Sequence, residues 1–247
     1  MLTLLGTELL KLKTMRWPWI LTVVTLAATA VQALQPVYKA GRDGDPSIGT
    51  ALAELAVLDA AGRGALGALL IGVLVVTSEF RHQTVTVSLL QSPKRGRMVT
   101  AKAVTAGLVG LALGVAALMI VLGLGAVSGA VQPQLVNGDI VLRAVGFVLT
   151  YPLYAVLGTA TGCLLARNQP LAVVIPVLLL AGLEGFALSP LPQGLRVWSI
   201  LGTTAALQNA GDVPLVLPVW VGGAALLAYS LILIGAGALR MVRADIS

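Results

Sequence analysis

The chain has 247 residues, of which 57% are hydrophobic and 11% are charged, and its mean hydropathy is +0.95. A soluble domain carries roughly 25% charged residues, so this composition excludes a soluble fold and indicates an integral membrane protein. The net charge of +6 is not arranged as a basic stripe with interleaved aromatic residues, which argues against nucleic-acid binding. Cys163 and His82 are the only residues of their kinds, which excludes an intrachain disulfide and argues against a metal centre.

The first predicted element is an amphipathic helix over residues 1–16. Leucines recur in it at helical spacing, with charged residues between them: Leu2, Leu5, Leu9 and Leu12, against Glu8, Lys11, Lys13 and Arg16. A helix of this kind lies in the membrane interface and does not cross. Trp17 and Trp19 follow it, and indole rings prefer the same boundary.

Apolar runs predict six transmembrane helices, at about residues 17–34, 57–77, 101–127, 140–166, 171–188 and 215–239. The second must begin near Val57, because a start after Arg63 leaves fewer than the ~20 residues that a span needs. A short helix is expected over Ser47–Leu58, and Ser189–Pro214 is expected to lie outside with a short helix through Trp198. No internal repeat is visible, so residues 1–247 are predicted to form one domain.

Glycines spaced four apart occur in two of the predicted spans. Gly110 and Gly114 lie in the third, and Gly158 and Gly162 lie in the fourth, which also contains Pro152. Small residues at this spacing allow two helix backbones to approach closely. We therefore expect both pairs to be helix-packing positions, with Pro152 kinking the fourth span.

A polar segment at residues 78–100 joins the second and third predicted spans. It and its borders contain an acid and a dense set of bases, namely Glu79, Arg81, Lys94, Arg95, Arg97 and Lys102. Basic residues beside spans favour the cytoplasmic side. With six spans, eleven of the sixteen bases and three of the ten acids fall inside, which makes the inner side +8 and the remainder −2. Both termini are therefore predicted to be cytoplasmic.

Two charged residues are predicted to lie within the membrane. Arg63 is 16 residues from Glu79, about 24 Å along a helix, and Glu184 is 15 residues from Gln169, about 22 Å. Their matching depth and opposite sign suggest a pair, because charges in a membrane need a partner or water. Alternatively, Arg63 pairs with Asp59 at helical spacing, and Glu184 reaches the headgroups.

Sequence motifs for catalysis are missing. The chain has no G-x-x-x-x-G-K-[ST] phosphate loop, no G-x-S-x-G elbow and no H-E-x-x-H motif. We therefore expect that this chain alone is not an enzyme.

The polar segment resembles a signature of bacterial ABC type-2 exporter permeases. The resemblance rests on Glu79-Phe80-Arg81-His82-x-Thr84, then Leu89-Leu90-x-x-Pro93 and the bases up to Lys102, with Thr7–Thr14 similar to the family's opening and Glu184 with Pro190, Pro192 and Trp198 similar to a later part. Gln83 stands where the family usually has glycine. Alternation over Thr84–Leu89 is typical of a strand, so the family's short coupling helix is implied by resemblance alone.

The resemblance implies an all-α membrane protein with six transmembrane helices, an N-terminal interfacial helix and a cytoplasmic coupling segment. It implies a permease subunit in the bacterial cell membrane that docks a separate ATPase and pairs with a second copy or a related permease. ATP and Mg are then bound by the ATPase, and no cofactor is expected in this chain. The implied docking residues are Glu79, Phe80, Arg81, Thr84, Pro93, Lys94, Arg95 and Arg97.

Other interpretations of the sequence stay open. Lys94, Arg95 and Arg97 can bind lipid headgroups and fix orientation instead of contacting a protein. The chain can also be a proton-coupled carrier that uses Glu184, or a membrane anchor or sensor for a soluble partner. A carrier of the common type would have paired inverted halves, which this sequence does not show.

Overall fold

A computed structural model describes residues 2–40, 48, 50–81, 95–130, 138–165, 168–178, 192–208 and 217–243. These residues form helices and the turns that join them, without strands. The helices are α1 (Leu2–Thr14), α2 (Arg16–Lys39), α3 (Ala51–Gly62), α4 (Leu66–Arg81), α5 (Arg95–Ser128), α6 (Gly138–Leu164), α7 (Gln169–Leu178), α8 (Gln193–Arg196), α9 (Ile200–Leu207) and α10 (Val219–Arg243). A 3-10 turn, Arg63–Ala65, joins α3 directly to α4.

Five helical stretches are long and apolar enough to cross a membrane. They are Arg16–Lys39, Glu54–Glu79, Met98–Ser128, Ile140–Leu164 and Val219–Gly237. At 1.5 Å per residue, each covers most or all of a hydrocarbon layer of about 30 Å. The chain is therefore an all-helical, multi-pass membrane protein.

The predicted span at residues 171–188 is described only in its first half. There α7 has 10 residues, which reach about 15 Å and cannot cross a bilayer alone. Residues 179–191 lie outside the described residues. Five spans agree with the prediction, and the sixth stays a prediction.

The helix that continues from α3 through α4 lies at the centre of the bundle. Its side chains Ala61, Ala68, Leu69, Ile71 and Val73 are fully buried. It packs against α2 on one side and α6 on the other, and α6 also packs against α5 and α10. By contrast, α2, α5 and α10 each expose long apolar side chains, as expected where helices face lipid.

Glycines allow these central contacts, as their spacing predicted. A Cβ added at Gly158 would overlap the Leu69 carbonyl of α4, and one at Gly162 would lie 3.0 Å from the Val73 carbonyl. A Cβ at Gly110 or at Gly114 of α5 would come within 2.8 Å of the α6 backbone. Both predicted pairs are thus confirmed as packing positions.

The two ends of the bundle contain different elements. We call the end where α4 stops and α5 starts the basal end, and the end where α3 starts and α5 stops the distal end. The predicted helix over Ser47–Leu58 begins later, at Ala51, and continues into α4, so it belongs to the second span. Ser47, the first residue of the predicted helix, lies outside the described residues.

The segment at residues 189–214, predicted to lie outside the spans, contains short helices in its described part. Its described helices are α8 and α9, and Trp198 lies in the turn between them. The Ser199 hydroxyl caps α9 by accepting a hydrogen bond from the Gly202 amide at 3.0 Å. Thr204 of α9 is 3.0 Å from the Tyr154 hydroxyl, near the middle of α6. The helix α9 thus packs against α6, and its position relative to the membrane stays a prediction.

Candidate functional site

Four charged side chains from three helices meet at the basal end of the bundle. Glu8 and Lys11 come from α1, Glu79 from the last turn of α4, and Lys102 from the second turn of α5. Glu8 and Lys11 face the same side of α1 because residues three apart are neighbours on a helix. We call these four residues the basal ion network.

Lys102 lies at the centre of the basal ion network. Its Nζ is 2.8 Å from Glu8 Oε2 and 2.7 Å from Glu79 Oε1, and it donates a longer hydrogen bond of 3.5 Å to the Val75 carbonyl. The Lys11 Nζ lies 3.0 Å from Glu8 Oε1 and 2.9 Å from Glu79 Oε1. Each ammonium therefore contacts both carboxylates, and the four formal charges cancel.

The basal ion network is largely shielded from solvent. The side chains of Lys102, Glu79 and Glu8 are only 2%, 4% and 8% exposed, whereas that of Lys11 is 38% exposed. Burial of a single charge costs several kcal/mol, and opposite charges with good hydrogen-bond geometry offset that cost. Loss of one buried member would therefore be much more costly than loss of Lys11.

The two α1 members of the network have shifted pKa values. Burial alone would raise the pKa of the Glu8 carboxyl, but the Lys102 and Lys11 ammonium groups outweigh burial and hold it below its ordinary value. Burial would likewise lower the pKa of Lys11, but Glu79 and Glu8 outweigh it and raise the pKa. Both groups are therefore charged at neutral pH.

The basal ion network fixes α1 against the ends of two spans. The Trp19 indole adds a link between α1 and α2 by donating a hydrogen bond to the Lys13 carbonyl at 3.1 Å. Glu79 lies at the start of the polar segment at residues 78–100, and Lys102 lies just after its end, so the network also fixes the distance between the two ends of the segment. A force on this segment would act on α1, α4 and α5 together.

Glu8 of α1 faces the bundle, and the leucines of α1 divide between the core and the surface. The sequence placed Glu8 on a polar face and Leu9 on the apolar face. In the structure Glu8 is buried, Leu9 is 40% exposed, and Leu12 packs against the core. The contact between Glu8 and Lys102 lies on the same side, so α1 is held by charge as well as by Leu12.

The docking residues implied by the resemblance fall into three groups. Glu79 is buried and contacts two lysines of its own chain. Four of the residues lie where α4 ends and α5 begins, and their side chains are outside the described part: Phe80, Arg81, Arg95 and Arg97. Thr84, Pro93 and Lys94 lie wholly outside it. The presence of an acid on a basic side now has a structural reason, because Glu79 compensates lysines.

The proposed pair of intramembrane charges stays a prediction. Arg63 begins the 3-10 turn between α3 and α4, and its side chain is outside the described part, as is all of Glu184. Asp59 has a partner that the sequence analysis did not consider. Arg143 of α6 donates hydrogen bonds from Nη1 to both carboxylate oxygens of Asp59, at 2.9 and 2.8 Å.

Polar side chains also meet inside the bundle. The hydroxyls of Thr29 and Tyr151 are 3.1 Å apart, which connects α2 to α6. The Gln208 amide donates to the Thr150 hydroxyl at 3.0 Å, and both residues are buried. In a membrane such groups need partners within the protein, so these bonds fix the relative positions of the helices.

Sequence reasoning missed the connection among Glu8, Lys11 and Lys102, although each residue was noted. The available signal was the presence of two acids on a side where topology favours only bases. Among the described residues, no group of three or more His, Cys, Asp or Glu side chains could hold a metal ion.

Comparison with known proteins adds no family to these observations. No family model matches the chain, and no curated protein matches it significantly. The fold itself defines the class, an all-helical membrane protein with several spans and a buried ion network at one end.

Proposed function

We propose that this chain is the membrane-spanning subunit of an ATP-driven exporter. The observation that carries the proposal is the basal ion network, which fixes both ends of the polar segment to α1. A segment that receives force from a soluble motor needs such a rigid attachment, or its movement would dissipate in the connection. The composition of the segment supports the same role, because clustered bases can steer and bind an acidic protein surface.

The coupling then follows the helices. Movement of the segment at residues 78–100 is passed to α4 through Glu79 and to α5 through Lys102. Since α4 is part of the central, most buried helix of the bundle, a displacement of α4 changes its contacts with both α2 and α6. ATP and Mg belong to the separate ATPase, and Lys94, Arg95 and Arg97 are the proposed contacts with it.

The proposal includes an arrangement in the membrane. The basal end faces the cytoplasm of a bacterial cell, with both termini inside and six spans in total, and a second copy or a related permease completes the translocation path. It is supported by the predicted charge difference of +8 inside against −2 elsewhere. Lipid headgroups surround the basic residues at this end.

Thiol labelling tests this orientation. Single cysteines at Gly44 and Asn209, in a Cys163→Ala background, should react with an impermeant reagent on intact cells. A cysteine at Ser92 should react only after permeabilisation. Labelling of Ser92 from outside would reverse the proposed orientation.

Co-purification tests the function. The tagged chain, isolated from its native membrane in mild detergent, should carry an ATP-hydrolysing protein that a photoreactive ATP analogue labels. The variant with alanine at Lys94, Arg95 and Arg97 should lose this activity at least about tenfold, as expected when interface charge pairs are removed. Lys39→Ala is the matched control, because Lys39 is exposed at the distal end.

The outcomes separate the candidate functions. No labelled ATPase with the wild type would contradict the exporter proposal and favour a carrier or an anchor. A labelled ATPase that the triple variant retains would leave the three bases with the lipid-binding role. Neither result depends on knowing the transported compound.

A further inference from the structure

Glu54 is a buried acid with a very different environment from that of the basal ion network. It lies in the first turn of α3, at the distal end, and is 1% exposed. Both carboxyl oxygens are buried, and within the described part of the chain neither has a hydrogen-bond partner. Glu8 and Glu79, the buried acids at the basal end, each contact two lysines.

The elements packed against α3 are α2, α5 and α6. On α2 the nearby ionisable residues are Tyr38 and Lys39, which are exposed. On α5 no ionisable residue occurs between Lys102, at the basal end, and Ser128. Neither helix therefore presents a buried charge that would compensate an ionised Glu54.

The remaining charges belong to α3 itself and to α6, where the side chain of Asp139 is outside the described part. Arg143 of α6 bonds to Asp59, which follows Glu54 by five positions and so lies about 140° around the helix. Arg63, which begins the 3-10 turn after α3, follows Glu54 by nine positions, and its side chain is outside the described part. Among the described residues, Arg143 therefore contacts the side of α3 that faces away from Glu54.

Among the described residues, nothing would offer an ionised carboxylate in this position a counter-charge, and burial keeps it from water, which is the most costly state for a buried acid. The amino-terminal position in α3 favours negative charge through the helix dipole, but that contribution is smaller than the cost of burying an unpaired ion. Binding of a proton removes the charge and leaves only a neutral polar group.

We propose that Glu54 is a proton-binding site, occupied at neutral pH, at the distal end of the bundle. Separation of α3 from its neighbours would admit water, and the O–H proton would then pass from the carboxyl group to that water, leaving a hydrated carboxylate. Closure would require the reverse step. The proposal stands apart from the exporter function, because it depends only on the burial of Glu54.

Infrared difference spectroscopy of the purified protein in lipid nanodiscs tests this proposal. A protonated carboxyl group has a C=O stretching band that a carboxylate lacks, and the band shifts on transfer to heavy water. We expect the wild type to show this band at pH 7, and Glu54→Gln to lose the Glu54 part of it. Asp59→Asn is the matched control, because Asp59 is paired with Arg143 and should contribute nothing.

Absence of the band from the wild type at pH 7 would overturn the proposal, as would an unchanged band in Glu54→Gln. If Glu54→Gln fails to fold, Glu184→Gln serves as a second test, because Glu184 is an acid predicted to lie within the membrane and could give a band of its own. A band that persists in Glu184→Gln supports Glu54 as its source, and a band that disappears there overturns the assignment.

Discussion

Replacement of Lys102 by methionine tests the energetic role of the basal ion network. The substitution keeps most of the side-chain volume but removes the ammonium that lies within 2.8 Å of both carboxylates. Of the two lysines in the network, only the partly exposed Lys11 then remains beside Glu8 and Glu79. Removal of one partner from a buried ion pair typically costs about 3–5 kcal/mol, so we expect the free energy of unfolding to fall by about that amount.

Lys11→Met is the matched control for this substitution. Lys11 contacts the same two carboxylates, but its side chain is 38% exposed, and solvent screens such pairs to roughly 1 kcal/mol or less. The triple variant Lys102→Met, Glu8→Gln, Glu79→Gln has no unpaired buried acid left. It should therefore recover at least half of the loss, since buried ion pairs can often be replaced by neutral groups.

The assay is unfolding of the purified protein in mixed micelles, monitored by the loss of the helical circular-dichroism signal. Limited proteolysis near Met15 reports release of α1 at the same time. Equal losses for Lys102→Met and Lys11→Met would refute the reasoning, because they would mean that burial does not distinguish the two lysines. Failure of the triple variant to improve on Lys102→Met would show that the acids are not coupled to Lys102.

Three further predictions follow from the same contacts. Attachment of α1, measured by proteolysis, should stay constant around neutral pH. The pKa of Glu8 is lowered, so its contribution is lost only as the pH falls below the ordinary glutamate pKa of 4.5; the pKa of Lys11 is raised, so its contribution is lost only as the pH rises above the ordinary lysine pKa of 10.5. Gly72→Ala, whose Cβ would overlap the Ala155 carbonyl, should lower the thermal midpoint, with a cost of about 1–3 kcal/mol, whereas Gly123→Ala, with nothing within 4 Å, should not. Arg143→Gln should lower the thermal midpoint in the same assay. Because the two residues are paired, adding Asp59→Asn to that variant should cost less stability than Asp59→Asn costs in the wild type, and additive losses would argue against the pair.

The spans and packing glycines could be predicted because they depend on local patterns. A run of apolar residues identifies a span whatever surrounds it, and Gly158 and Gly162 share a helix face by their spacing alone. The structure places them against α4, as expected. The limits of the second span are harder to predict, because the ionisable residues Glu54 and Asp59 interrupt the apolar pattern and yet belong to the helix.

The contacts of charged side chains could not be predicted in the same way. Glu8 and Lys102 are 94 residues apart, and nothing in either local sequence indicates the other. The same is true of Asp59 and Arg143, which are 84 residues apart. Helical spacing favours Arg63, four residues from Asp59, and that pair stays a prediction, whereas the contact with Arg143 arises from tertiary packing alone.

Orientation in the membrane and attachment of α1 depend on different residues. The basal ion network contains two acids and two bases, so it contributes nothing to the net charge of its side. The predicted excess of +8 therefore rests entirely on the other nine bases, which only Asp245 opposes. Substitutions within the network should consequently loosen α1 without inverting the protein, whereas removal of the bases around residues 94–97 should weaken orientation and partner binding and leave α1 in place. Because the two effects are separable, each can be measured in variants where the other is intact.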